Sequence, residues 1–147
     1  MPPNLEYFVV CRSVSFDVET DEITLSNVIE DVYLGSDGTA VLPRAVAISS
    51  WNIADGDRSK DFQTILTITL PGQSEGMDFP TNFDEGRHRY RAICTVAEIP
   101  LSQPGELKFE ILLNRKHAAS HKVLVHPPGM RSYSGQQLLG ESPSRPA

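Results

Sequence analysis

Hydrophobic and polar positions alternate with a period of two over most of the chain, and no segment keeps a helical period of 3.6. The first apolar-rich run is Leu5 to Val14, closed by the acidic stretch Asp17-Val18-Glu19-Thr20-Asp21-Glu22; the second is Ile23 to Leu34. The two read as a hairpin across that acidic turn. Gly35-Ser36-Asp37-Gly38 breaks the chain, and Pro43 precedes a third run, Ala45 to Ile53, which ends at Asp55-Gly56-Asp57. The fourth run, Phe62 to Leu70, places Phe62, Thr64, Leu66, Ile68 and Leu70 on one face and Gln63, Ile65, Thr67 and Thr69 on the other. Pro71-Gly72 stops it. A less regular piece with Phe79, Pro80 and Phe83 leads to a fifth strong run, His88 to Ile99. After Pro104-Gly105 comes a final pair, Glu106 to Leu113 and Ala118 to His126, joined by a turn over Asn114 to His117. Short strands with turn signals every 8–12 residues or so predict an all-β fold. The expected architecture is an immunoglobulin-like antiparallel β-sandwich of seven or eight strands over residues 1–126. Residues 127–147 carry Pro127, Pro128, Pro143 and Pro146 among Ser, Gly and Gln, and predict a flexible tail, because too little apolar surface is present to offset the entropy of ordering it.

Composition narrows the possibilities. A chain of 147 residues suits one domain, which buries about 70% of its unfolded surface and needs no disulfide or metal for a core. Net charge is −6; within residues 1–126, 11 Lys+Arg stand against 18 Asp+Glu, or −7. An acidic body argues against nucleic acid and anionic membrane surfaces as partners, since both are bound by Lys and Arg. The start lacks the positive n-region and apolar h-region of a secretory signal, so a cytoplasmic location is expected. Cys11 and Cys94 are then expected as reduced thiols, with a bridge conceivable only if their strands are neighbours.

Particular residues in the first seventy carry a resemblance. They are Asn4-Leu5-Glu6-Tyr7-Phe8-Val9-Val10-Cys11, the turn with Asp17 and Thr20, Thr24-Leu25-Ser26-Asn27-Val28-Ile29-Glu30, Leu42-Pro43 and the strand ending at Trp51. Together they resemble a family of small bacterial cytoplasmic β-sandwich proteins of unknown function. Arg12 stands where that family usually has an acidic residue, and Asp21-Glu22 where it has a Gly-containing turn. The resemblance implies a cytoplasmic sandwich and supplies no catalytic residue.

Several constellations bear on chemistry. Gly72-Gln73-Ser74-Glu75-Gly76 matches the G-x-S-x-G pattern, but that pattern works on a strand-to-helix turn in an α/β sheet, and no helix start follows. His117 and His121 lie four apart; on a strand that is about 13 Å, too far to share one zinc ion. His88 and His126 add no metal spacing. Asp17, Glu19 and Asp21, or Asp55 and Asp57, could hold calcium, yet aspartate is common in turns because it caps local amides. Arg87, Arg89 and Arg91 share one face of the fifth run, a row suited either to an acidic or phosphorylated partner or to a solvated edge. Tyr133, Leu138 and Leu139 are the large apolar groups of the tail and form a candidate docking motif. Trp51 is expected in the core. The expectation is therefore a protein without catalytic residues, metal or cofactor. Its predicted role is a protein-interaction or assembly module, with self-association among its modes — a carbohydrate or small-ligand binding sandwich being the alternative, and a hydrolase using Ser74 behind both.

Overall fold

In the computed structural model, which describes residues 3–53, 62–85 and 89–129, the alternating runs form β-strands, and the described residues contain no helix. The strands are β1 (Asn4–Phe16), β2 (Ile23–Val28), β3 (Asp31–Tyr33), β4 (Ala40–Asn52), β5 (Thr64–Thr69), β6 (Met77–Thr81), β7 (Phe83–Glu85), β8 (Arg89–Leu101), β9 (Gly105–Leu113) and β10 (Lys116–His126). One five-stranded sheet runs β2-β1-β4-β8-β7 and the other β3-β10-β9-β5-β6. They pack face to face as a β-sandwich. Neighbouring strands pair antiparallel, except that β3 runs parallel to β10.

The predicted run Ile23 to Leu34 divides because the chain changes sheets within it, and the chain changes sheets again in the less regular piece that follows the fourth run. After β2, the Ile29 amide still donates to the Val10 carbonyl of the first sheet at 2.9 Å, while the next carbonyl, that of Glu30, accepts from the Leu124 amide of the second sheet. The other crossing is at Asn82, between β6 and β7. Both crossings lie at sheet edges, so the two open sides of the sandwich are each spanned by a chain that passes from one sheet to the other. The edge strands are short, and Pro80 interrupts the donor row of β6. Such edges discourage pairing with stray strands.

The core lies between the sheets. Val10, Leu42, Ala45, Ala47, Ile99 and Leu101 meet Leu66, Ile68, Leu107, Phe109, Val123 and Val125 there. In β5 and β9 the predicted alternation holds: Thr64, Leu66 and Ile68, and Leu107, Phe109 and Ile111, are buried while their neighbours are more open. Strand β4 breaks the period. Leu42 and Ala45 both point inward although they stand three positions apart, an odd spacing, as do their partners Ile99 and Val96. The two strands slip together: Pro43 and Arg44 are exposed, and Glu98, between those partners, takes φ +55°. The hairpin joining β9 and β10 turns on Asn114 and Arg115, with φ +48° and +70°, the paired left-handed residues of a type I′ turn.

From Ala45 to Trp51, β4 is buried on both faces. Val46 and Ile48 point away from the core and need a cover. Cross-strand register shows where it comes from. Arg91 lies opposite Ser50, which lies opposite Tyr7, four residues before Cys11 on β1. A β1–β2 hairpin continuing straight past Cys11 would carry its tip away from Arg91. Yet the Arg91 guanidinium lies 5.6 Å from the centre of the Phe16 ring and reaches Asp21 at the tip. The hairpin is therefore folded back over the outer face of the first sheet as a partial third layer.

Candidate functional site

The fold-back leaves a cleft between the hairpin tip and the sheet. It measures about 650 Å³ and is lined by Glu6, Tyr7, Thr20, Asp21, Glu22, Ile23, Arg89 and Arg91. Two of the three arginines of the predicted row enter it, in different ways. Arg89, half exposed, donates from Nε to Glu6 Oε1 at 2.7 Å. Glu6 is brought there by a register shift in β1 between Leu5 and Tyr7, which turns it toward Ser50; the Ser50 hydroxyl donates to the same carboxylate oxygen at 3.3 Å. Arg91 is not on a solvent face. Its side chain is 11% exposed; Nη2 donates to the Asp21 carbonyl at 3.4 Å and Nη1 lies 3.6 Å from Asp21 Oδ1. Both contacts are longer than a well-formed charge-assisted bond. Its Nε is buried without a hydrogen-bond partner among the described residues. Arg87, the third member of the row, lies outside the described residues, as do Tyr133, Leu138 and Leu139 and the tail beyond Gly129.

The acidic stretch builds the tip rather than a metal site. Asp17 Oδ1 accepts the amides of Thr20 at 3.1 Å and Glu19 at 2.9 Å, and the Asp17 amide donates to the Glu22 carbonyl. These amides, that of Thr20 foremost, hold the Asp17 carboxyl below its ordinary range. Asp21 takes φ +63°, a conformation aspartate tolerates in turns. The Thr20 hydroxyl donates to Glu22 at 3.1 Å. Among the described residues no group of three His, Cys, Asp or Glu is placed to hold a metal ion; Asp55 and Asp57 lie outside them.

Ser74 sits in the loop that joins the antiparallel strands β5 and β6. Gly72 turns that loop at φ +80°, and a Cβ there would strike the Gln103 side chain. The shallow pocket beside Ser74, about 300 Å³, is lined by Thr69, Leu70, Gly72, Gln73, Glu106, Lys108 and Glu110, with no histidine among them. The histidines disperse. His117 bonds Ser120 and lies 3.4 Å from Glu110, His121 bonds the Ile29 carbonyl, and His126 bonds Asp31 at 2.8 Å while stacking on Tyr33; His88 is outside the described residues. Trp51 is buried, its Nε1 donating to Ser49 Oγ at 2.8 Å and its ring meeting Phe83 edge to face.

Cys11 and Cys94 are both free. Strand β4 lies between theirs, which separates the strands by about 10 Å, beyond the reach of a disulfide. They also point to opposite faces: Cys11 lies opposite outward-facing Val46, and Cys94 packs on the core. Burial pushes both thiols above their ordinary pKa. The folded protein at pH 7 is therefore expected to react slowly with a thiol reagent such as Ellman's, and to release two equivalents once denatured. Reaction of either cysteine at the rate of a free thiol would contradict this placement.

No family model matches the chain, and no curated protein matches it. The site thus rests on its own geometry. Sequence reasoning picked out Arg89 and Arg91 but missed Glu6, Tyr7 and Ile23, which enter the cleft through the register shift and the fold-back. No helix of the described residues is long and apolar enough to cross a membrane.

Proposed function

We propose that the domain is a non-catalytic protein-interaction or assembly module that docks through the tip of the β1–β2 hairpin. One observation carries this reading. Val18, 93% exposed, and Phe16, 45% exposed, project from a tip whose backbone is fixed by Asp17 and whose position is tied down by Arg91. An apolar anchor already held in one conformation loses little entropy on docking, and such anchors dominate binding energy in interfaces. The flanking carboxylates of Asp17 and Glu19 give the tip a preference for a partner surface with positive charge. Two unpaired thiols fit a reducing compartment such as the cytoplasm. The test compares wild-type protein with Val18→Asp by sedimentation velocity and by affinity capture from the native source. Self-association or a captured partner that disappears in the variant, at unchanged melting temperature, is expected. A strict monomer that captures nothing, or a variant that behaves as wild type, sinks the reading.

A small-ligand site is the second reading, favoured by the cleft itself, whose volume falls within the range usual for such sites. Carbohydrate fits less well, because Phe16 is the one aromatic ring among the described residues that is prominently exposed. A hydrolase using Ser74 has the weakest support, since no histidine lines its pocket and Ser74 sits on a loop between two antiparallel strands.

A further inference from the structure

We infer that the cleft beneath the hairpin tip binds a small zwitterion, a molecule carrying a free carboxylate and a free ammonium group, such as a short peptide. The inference stands apart from docking at Val18 and rests on the charges of the cleft wall. Two guanidinium groups and three carboxylates face one cavity. A plain anion would meet Glu6, Asp21 and Glu22; a plain cation would meet Arg89 and Arg91. A ligand with both charges, correctly spaced, satisfies both walls.

The geometry assigns the ends. Arg89 uses Nε on Glu6 and is half exposed, and its two terminal nitrogens make no other contact among the described residues, so they can hold a carboxylate in a forked contact. Arg91 stands behind it as a fixed positive charge: its contacts to Asp21 are long and its Nε is buried without a partner among the described residues. Among the described residues, the positive charge on that wall is therefore incompletely neutralised. On the other wall, the Glu22 carboxylate accepts the Thr20 hydroxyl and enters no ion pair among the described residues, which suits it to an ammonium group. Tyr7 and Ile23, also in the lining, supply apolar surface for the ligand between its charged ends.

The test uses the full chain and four probes: trialanine with free termini, N-acetyl-trialanine, trialanine amide and inorganic phosphate. Binding is followed by amide chemical shifts of residues 6–7, 20–23 and 89–91 during titration. Free trialanine is expected to shift these amides, and blocking either terminus to weaken binding by about tenfold, the worth of one charge-assisted contact. In Glu22→Gln the acetyl block is expected to lose its effect while the amide block keeps it; in Arg89→Gln the reverse. Each comparison is made within one variant, so a general loss of affinity does not mimic the result. Both substituted side chains are surface groups and Val18 does not line the cleft, so Val18→Asp is expected to bind trialanine as wild type does, which keeps this outcome separate from that of tip docking. Equal binding of the free and blocked peptides, no shift with any peptide, or phosphate binding as tightly as trialanine overturns the inference.

Discussion

Phe109→Ala is expected to lower the free energy of unfolding by about 3–5 kcal/mol, the usual cost of emptying a buried phenylalanine site. Phe109 is fully buried at the middle of β9, with Ile68 of β5 opposite on one side and His121 of β10 on the other. The His121 ring meets it edge-on with centroids 6.5 Å apart. Both neighbouring strands are fixed by long ladders, so the sandwich has little freedom to collapse into the void. Since domains are stable by only about 5–15 kcal/mol, this one change removes a large part of the margin. Phe109→Leu, which leaves most of the volume filled, is expected to cost far less. Urea unfolding checks both, with a lower midpoint and an unchanged slope. A loss below about 1 kcal/mol for the alanine variant would show that the core does not centre on this strand.

Removing Asp21 and removing Arg91 are expected to have unequal effects. Asp21→Ala leaves a guanidinium that is 11% exposed with no counter-charge among the described residues, whereas Arg91→Met removes the charge and keeps an apolar stem against Phe16. Loss of one partner of a buried pair is costly, while replacing the charged group by an apolar one is often close to neutral. Asp21 itself is 38% exposed, so water screens part of the interaction. With that discount, about 1–2 kcal/mol is expected for Asp21→Ala and less than about 1 kcal/mol for Arg91→Met. Hydrogen exchange locates the effect. Amides of residues 13–16 and 23–26, which pair only within the hairpin, should exchange faster in Asp21→Ala, while those of β9 and β10 stay protected. Unchanged exchange in the hairpin would mean that Arg91 does not hold it down.

These two experiments probe different kinds of information. Phe109 and its neighbours Leu107 and Ile111 were legible as an inward face because a strand's side chains alternate whatever the strand packs against. The same rule exposed the faces of β5. It failed at β4, where Pro43 and Glu98 shift the period and where the hairpin buries the second face as well, so every residue from Ala45 to Trp51 is buried, Ser49 and Ser50 included. It also failed at Ile29-Glu30 and at Asn82: an apolar strand sequence looks the same whether its hydrogen bonds go to one sheet or change to another. The acidic turn was readable as a turn, since aspartate caps amides locally. Its contact with Arg91, seventy residues away, was not.

The sequence by itself determined the strands, their turns and most of the inward faces, because a period of two, proline and glycine breaks and Asp-capped turns act over a few residues. Tertiary structure alone decided the pairing order, the two changes of sheet and the fold-back of the first hairpin. Those depend on which distant strands meet and in what register, and only that register brings Glu6, Asp21, Glu22, Arg89 and Arg91 around one cleft.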